Sequence, residues 1–374
     1  MSTALADLIK ARIEADGPIS LADYMADCLM HPVHGYYATR DPFGATGDFI
    51  TAPEISQMFG EMIGLCLAQA WLDQGAPARI ILAEAGPGRG TLMADILRAA
   101  RAVPEFGKAA EVHLIETSAA LRAVQGETLT QAGYRAEQVT WHAQIQELPE
   151  NAPLYFVANE FFDALPIRQF ERDPNGWSER RVGLHGNTLT LGRTAPATQE
   201  ALAPRMADTS AGDIVEICPA AAPIAARIGA QIETHGGVAL IVDYGDWRSL
   251  GDTFQAVEDH APTDPFAAPG AADLTAHVDF ETLASSTPSA HSLLTPQGVF
   301  LERLGITARA QALAAKLGGA ALEAHIAAHR RLTHPEEMGT LFKVIAFAPH
   351  GAPMPAGLEP ALAPDGLTEN GPAA

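Results

Sequence analysis

The chain has 374 residues, 47% of them hydrophobic, enough to bury a sizeable core in one large domain with insertions or in two modest ones. Its 24 basic and 45 acidic residues give a formal charge of −21 at pH 7, which argues against a nucleic-acid backbone or an anionic membrane surface as partner. The three cysteines, Cys28, Cys66 and Cys218, lie far apart with no C-x-x-C spacing, so neither a zinc site nor a disulfide framework is expected.

At the N-terminus, Leu5, Leu8, Ile9, Arg12 and Ile13 fall at helical spacing, while Lys10, Arg12 and Glu14 interrupt any secretory apolar run. No stretch approaches the roughly 18 apolar residues of a membrane span, so no membrane insertion is expected. The absence of a targeting pattern and of a disulfide framework leads to the expectation of a cytoplasmic protein. Helical patterning continues to about residue 74, broken by a loop at 31–49, so residues 1–78 read as an N-terminal helical or lid region. His31 and His34 in that loop lack a third ligand nearby, and no metal is expected.

From residue 79 the pattern changes. RIILAEAG is a compact apolar run ended by glycine, and TLMADILRAARAV follows it as a helix. EVHLIET is the next strand, with TSAALRAVQGETL as its helix and Thr117 or Ser118 as N-cap. QVTWHA, LYFVANEFF and VALIVDYG supply further strands. Strands alternating with helices predict a parallel sheet covered on both faces. The rhythm breaks after Leu165, where DPNG and HGN turns punctuate alternating residues and predict a β insertion at about 166–212. A Pro- and Asp-rich stretch at about 249–272 reads as an irregular loop, and 349–374 as a disordered tail, which leaves 79–348 as the main domain.

The stretch AEAGPGRGTL, residues 83–92, sets Gly86, Gly88 and Gly90 between a strand and a helix. Such a loop presents backbone N–H groups and a helix N-terminus to a ligand with no side chains in the way. Started at Gly86, a dinucleotide fingerprint needs glycine at position 91, where Thr91 stands, and there is no G-K-[S/T] of a P-loop. The loop alone fits a tight packing turn as well as a cofactor turn. The next strand, however, ends in Glu116, which can accept two hydrogen bonds from a ribose diol. Acid-x-G-x-G-x-G with an acid at the second strand's end resembles the cofactor site of class I S-adenosylmethionine methyltransferases. Glu84, Gly86, Pro87, Gly88, Gly90, Thr91, Glu116 and Thr117 are its candidate residues, with Trp141 and His142 closing a third strand where adenine could lie, and Asn159 beside them.

GDFITAPEIS and FGE (47–61), ANEFFDALPIRQF (158–170), DYG (243–245), DLTAHVDF (273–280) and PEEMGTLFKV (335–344) then occur in that order. This ordered set resembles the MidA-like family, whose mitochondrial member is an arginine methyltransferase assisting assembly of respiratory complex I. The resemblance covers about residues 19–348. It implies an α/β class I methyltransferase (Rossmann-like) mixed sheet with one antiparallel strand. It also implies a S-adenosyl-L-methionine-dependent protein arginine methyltransferase forming symmetric dimethylarginine on a complex I subunit or similar protein, as monomer or homodimer.

Methylating a guanidinium requires carboxylates that fix its plane and take up a proton, because arginine stays protonated near pH 7. The fourth strand delivers Asn159, Glu160 and Asp163 where substrates sit in this class, with Phe161 and Phe162 as walls. Asn159 and Glu160 could equally cap the following segment. Asp48 and Glu54 lie on a segment that could close over the cofactor, or on an ordinary loop leading into a helix. Asp243 and Tyr244 end the fifth strand, although an aspartate before glycine often only makes a turn. His277 is a further candidate base, against the commoner role of a structural histidine. A small-molecule methyltransferase and a non-catalytic S-adenosylmethionine-binding assembly factor are the alternatives.

Overall fold

The computed structural model describes residues 3–39 and 51–361. The N-terminal elements are α1 (Ala4–Asp16), α2 (Leu21–Met30), α3 (Tyr36–Thr39), α4 (Ala52–Ile55) and α5 (Gln57–Asp73). Thr3 caps α1, and Ser20 with Asp23 forms a reciprocal capping box on α2. The alternating part of the chain then supplies β1 (Ile80–Ala85), α6 (Thr91–Ala99), β2 (Ala110–Ile115), α7 (Ala119–Gln131), β3 (Val139–His142) and β4 (Leu154–Asn159). The insertion contributes β5 (Arg168–Asp173), β6 (Gly176–His185), β7 (Thr188–Arg193) and β8 (Ile214–Ile217). After α8 (Ala221–His235) come β9 (Gly237–Asp246), β10 (Gln255–Glu258), β11 (Ala261–Thr263), β12 (Asp273–Thr275), α9 (Gly319–Thr333) and β13 (Phe342–Ala348).

The central sheet runs in the order β13, β9, β4, β1, β2, β3, parallel throughout except for antiparallel β13. Its strands read as unbroken apolar runs because both faces are covered. Alternate residues feed two cores. Ile80, Leu82, Tyr155, Val157, Leu240 and Val242 meet α5 and α6 on one face, and Ile81, Ala83, Phe156, Ala158 and Ile241 meet α8 on the other.

The boundary expected at residue 78 is corrected here, since α5 is part of the sheet's own covering layer. Gly60 and Gly64 let it press on α6: a Cβ on Gly60 would stand 2.4 Å from the Asp95 Cβ, and one on Gly64 2.9 Å from the Ile96 backbone. Helices α1, α2 and α3 pack instead with the insertion. Leu5, Ile9, Leu21, Tyr24 and Met25 share a third core with Val182 and Leu189 of the inserted sheet and Leu274 of β12. Three segments distant in sequence thus form one body beside the carboxyl ends of the main strands.

The stretch at 249–272, expected to be irregular, carries a three-stranded antiparallel sheet in the order β11, β10, β12. Its hairpin turns on Asp259 and His260, both left-handed at φ +50° and +61°, a two-residue turn made without glycine. The tail is corrected as well. Residues 349–361 fold back on the body, with Leu358 buried in the main core and Leu293 donating its N–H to the Glu359 carbonyl. Leu358 and Met354 provide the apolar contacts that a Pro-, Gly- and Ala-rich composition concealed.

Candidate functional site

The carboxyl ends of β1, β2 and β4 open onto a cavity of about 570 Å³, within the usual size of a cofactor or ligand site. Of the residues singled out in the sequence, Glu54, Glu84, Gly86, Pro87, Gly88, Thr91, Glu116, Thr117, Asn159, Glu160 and Asp163 line it. After β1 the chain turns through Gly86, Gly88 and Gly90 at φ +62°, +52° and +82° before entering α6. These left-handed angles are where glycine has no steric penalty. Gly90 stands behind the wall as the residue preceding α6, and a Cβ there would meet the Gln125 backbone at 3.3 Å.

Glu116, buried just beyond β2, accepts the Ser118 N–H at 2.7 Å through Oε1 and the Gln125 amide at 3.2 Å through Oε2. Each oxygen keeps a second lone pair for a ligand hydroxyl. Gln125 is fully buried in α7 and was not visible as a site residue. Its Nε2 also donates to the Gly88 carbonyl at 2.9 Å, and its Oε1 accepts the Trp141 indole N–H at 2.8 Å. Trp141 therefore supports the glycine turn through Gln125 and does not line the cavity. His142 is corrected too: its ring stacks on His113, with ring nitrogens 2.9 Å apart. Ala143, Gln144, Ile145 and Gln146, just past β3, form the wall expected of Trp141 and His142.

At the end of β4 the backbone is strained. Glu160 sits at φ +50°, a conformation that costs a non-glycine residue about 1–3 kcal/mol and that clusters at functional sites. Its Oε1 accepts the Ala52 N–H of α4 at 3.2 Å and the Asn159 amide at 3.1 Å. Burial, with Asp163 beside it, pushes the Glu160 carboxyl up to about 8. Asp163 is buried, hydrogen-bonded by the Tyr244 hydroxyl, and pushed by burial to about 6. Glu84 is likewise held up at about 8 by burial, with Asp95 adding to the shift. Buried oxygens of Glu84, Asn159 and Asp163 have no protein partner, as expected of groups waiting for a ligand.

Further lining comes from α3, α4 and β12. Glu54 of α4 accepts the Thr91 hydroxyl, tying α4 to the first turn of α6. Tyr37, Asp273 and Thr275 line the cavity, and the Tyr37 hydroxyl donates to Asp273 at 3.2 Å. None of these three was singled out as a site residue from the sequence. Asp48 lies outside the described residues. His277 does not line the cavity. Its ring stands edge-on to Tyr244 at 5.4 Å and its backbone N–H is donated to Thr253, so it packs behind the lining residues.

A turn bare of side chains, a buried acid at the next strand's end and unpartnered carboxylate and amide oxygens fit a nucleoside cofactor carrying a cationic amino-acid arm. Among the described residues, no group of three or more His, Cys, Asp or Glu is placed to hold a metal ion, and no helix is long and apolar enough to cross a membrane.

Comparison with known proteins agrees with that geometry. Mitochondrial protein arginine methyltransferases NDUFAF7 are similar over nearly the whole chain. The Homo sapiens protein is 36% identical, covering 91% of this chain and 82% of its own, and the Xenopus laevis protein is 35% identical, covering 93% and 85%. A Burkholderia thailandensis structure bound to S-adenosyl-homocysteine superposes with a TM-score of 0.81 at 31% identity, covering 95% of this chain and 94% of that one. The cytoplasmic placement expected above is overturned by these relatives, which are mitochondrial proteins. A reducing compartment, which is all that the cysteines indicate, does not distinguish the two locations. The model of a family described as S-adenosyl-L-methionine-dependent methyltransferases matches residues 62–299, well over half of the chain, and the protein belongs to that family.

Proposed function

We propose that this methyltransferase modifies an arginine side chain of a protein, with Glu160 and Asp163 holding the guanidinium. The observation that carries the reading is the pair of acids at the end of β4, both in the cavity wall and both raised by burial. Bound at the glycine turn, S-adenosyl-L-methionine supplies an electrophilic methyl on a sulfonium. Glu116 would accept the ribose hydroxyls, Gly86 to Gly88 would let the backbone approach the ligand, and Ala143 to Ile145 would line the side that takes the base. Asn159 marks the passage between this half and the half that takes the substrate.

Entry of a guanidinium between Glu160 and Asp163 places a positive charge beside two carboxyls and draws both towards ionisation. Paired carboxylates fix its plane and localise charge away from the attacking nitrogen. The attacking nitrogen loses a proton on transfer, and the Glu160 carboxylate is placed in this reading to receive it. Phe161 narrows the slot and keeps water from the reacting atoms. The names of the NDUFAF7 relatives support arginine as acceptor, and the MidA-like motifs direct the search for the substrate to complex I subunits and to symmetric dimethylation.

The test is transfer of radiolabelled methyl from S-adenosyl-L-methionine into cell-lysate protein, followed by acid hydrolysis and identification of the labelled amino acid. Label in symmetric dimethylarginine, lost in Glu160→Gln and Asp163→Asn while S-adenosylhomocysteine still binds, is the expected result. Label confined to metabolites, or loss of cofactor binding in Glu160→Gln, overturns the reading.

A further inference from the structure

Asp243, at the end of β9, is fully buried and lies outside the cavity wall. Its Oδ2 accepts three successive backbone N–H groups, from Phe161 at 3.2 Å, Phe162 at 2.9 Å and Asp163 at 3.3 Å. Its Oδ1 accepts the Tyr244 N–H at 2.9 Å. The preceding N–H, that of Glu160, goes to the Val242 carbonyl at 3.0 Å. Every donor from Glu160 to Asp163 is therefore satisfied by two neighbouring residues of β9. We infer that Asp243 is a positioning residue of methyl transfer: its carboxylate clamps the sharp turn that aims Glu160 and Asp163 into the cavity together.

The turn needs such a clamp for two reasons. Glu160 is held at φ +50°, which a free loop would relax. Three N–H groups pointing the same way are also unsatisfied unless one acceptor stands at their focus, and a carboxylate oxygen binds them more strongly than a neutral one. Phe161, whose N–H is clamped, rests its ring 3.0 Å from where a Gly86 Cβ would be, so the turn also fixes the substrate loop against the cofactor loop.

Asp243 stands in a cluster of acids, and burial with Asp163 and Glu160 beside it holds its own pKa well above the ordinary carboxylate range. The groups facing it are Glu160 and Asp163 from the loop and Tyr244 from its own strand. Lys343, its partner across β13, directs Nζ to the carbonyls of Thr340, Leu341 and Gly245, and Arg331 of α9 acts on Glu160. The clamp rests on two acceptor oxygens, and an asparagine in its place sets an amide NH2 against either the Tyr244 N–H or the three loop N–H groups.

This role rests on the reading of Glu160 and Asp163 as the acids that hold the guanidinium. The experiment compares Asp243→Asn and Asp243→Ala with wild type in the lysate methylation assay, with Glu160→Gln and Asp163→Asn alongside. Asp243→Asn is expected to lower the turnover rate about 10- to 100-fold, the range for orphaning one or two buried donors, while S-adenosylhomocysteine affinity changes less than about fivefold. Amide hydrogen exchange at Phe161 to Asp163 accelerates, while protection elsewhere in the sheet is kept. A structural role alone would lower turnover, cofactor affinity and protection throughout the sheet together. Wild-type turnover in Asp243→Asn, or a loss that only tracks the folded fraction, overturns the role. Full activity in Glu160→Gln and Asp163→Asn instead overturns the reading on which it rests.

Discussion

Gln125 donates its Nε2 to the carbonyl oxygen of Gly88 at 2.9 Å, which ties the middle of α7 to the glycine turn. The same amide reaches Glu116 and accepts from Trp141. Gln125→Leu keeps the volume and removes all three bonds, leaving the indole N–H and the Gly88 carbonyl buried and unpaired. Orphaned groups of this kind cost about 1–3 kcal/mol each. Unfolding in denaturant is expected to show a loss of roughly 2–4 kcal/mol, and calorimetric titration about a tenfold or greater loss of S-adenosylhomocysteine affinity. Affinity within twofold of wild type would mean that the turn needs no support from α7.

Gly88 itself stands at φ +52° in the cavity wall. A valine there must adopt a left-handed conformation in which its branched Cβ is strained, and its methyls occupy the ligand's space. Gly88→Val is expected to abolish S-adenosylhomocysteine binding in calorimetry, with no NAD binding by either protein. Binding by the valine variant would show that the ligand does not approach this backbone.

How much of this was legible in the sequence depended on distance along the chain. The glycine turn and Glu116 were readable because a strand, a turn and the next strand's end recur at short, fixed spacing. Glu160 and Asp163 were readable because acids follow a fully apolar strand. Gln125 was hidden because its partner Gly88 is 37 residues away and a lone glutamine on a helix carries no signal. Tyr37 and Asp273 meet across 236 residues. Asp243 read as a turn residue because the loop that it clamps lies some 80 residues earlier. The hairpin at Asp259 and His260 was missed because its left-handed turn uses no glycine. Trp141 and His142 end β3 just short of the cavity, whose lining at this point is Ala143 and its successors.

The raised acids make stability depend on pH. Glu160 and Glu84 bind their protons up to about 8 in the folded protein, against an ordinary 4.5. Between those values the unfolded chain has released protons that the folded chain retains, so stability falls as pH rises through the window and levels off above it. Glu160→Gln removes one such group. The decline in unfolding free energy between pH 5 and 8 is expected to be shallower in the variant, by on the order of 1–3 kcal/mol. Denaturant titrations at several pH values check this, and parallel curves for the two proteins would show that Glu160 is ionised throughout.

Tyr37 and Asp273 line the cavity beside Asp163. The Tyr37 hydroxyl donates to Asp273 at 3.2 Å, and its own proton is held tightly because the ring is buried facing both Asp273 and Asp163. Tyr37, Asp273, Tyr244 and Asp163 thus line the cavity together, with Tyr37 near Asp163 as well as Asp273. Neither Tyr37 nor Asp273 is on the glycine turn, so their loss acts on the methyl acceptor and not on the donor. Asp273→Asn removes a negative charge that attracts a guanidinium while leaving an acceptor oxygen for Tyr37. The expected outcome is about a tenfold rise in the acceptor concentration needed for half-maximal methylation, with S-adenosylhomocysteine affinity unchanged within about threefold. Tyr37→Phe, which removes one donor to Asp273 without altering charge, should cost less than Asp273→Asn. Equal losses in the two variants would instead point to the Tyr37–Asp273 bond, and hence to the packing of the N-terminal body, as the feature that the acceptor senses.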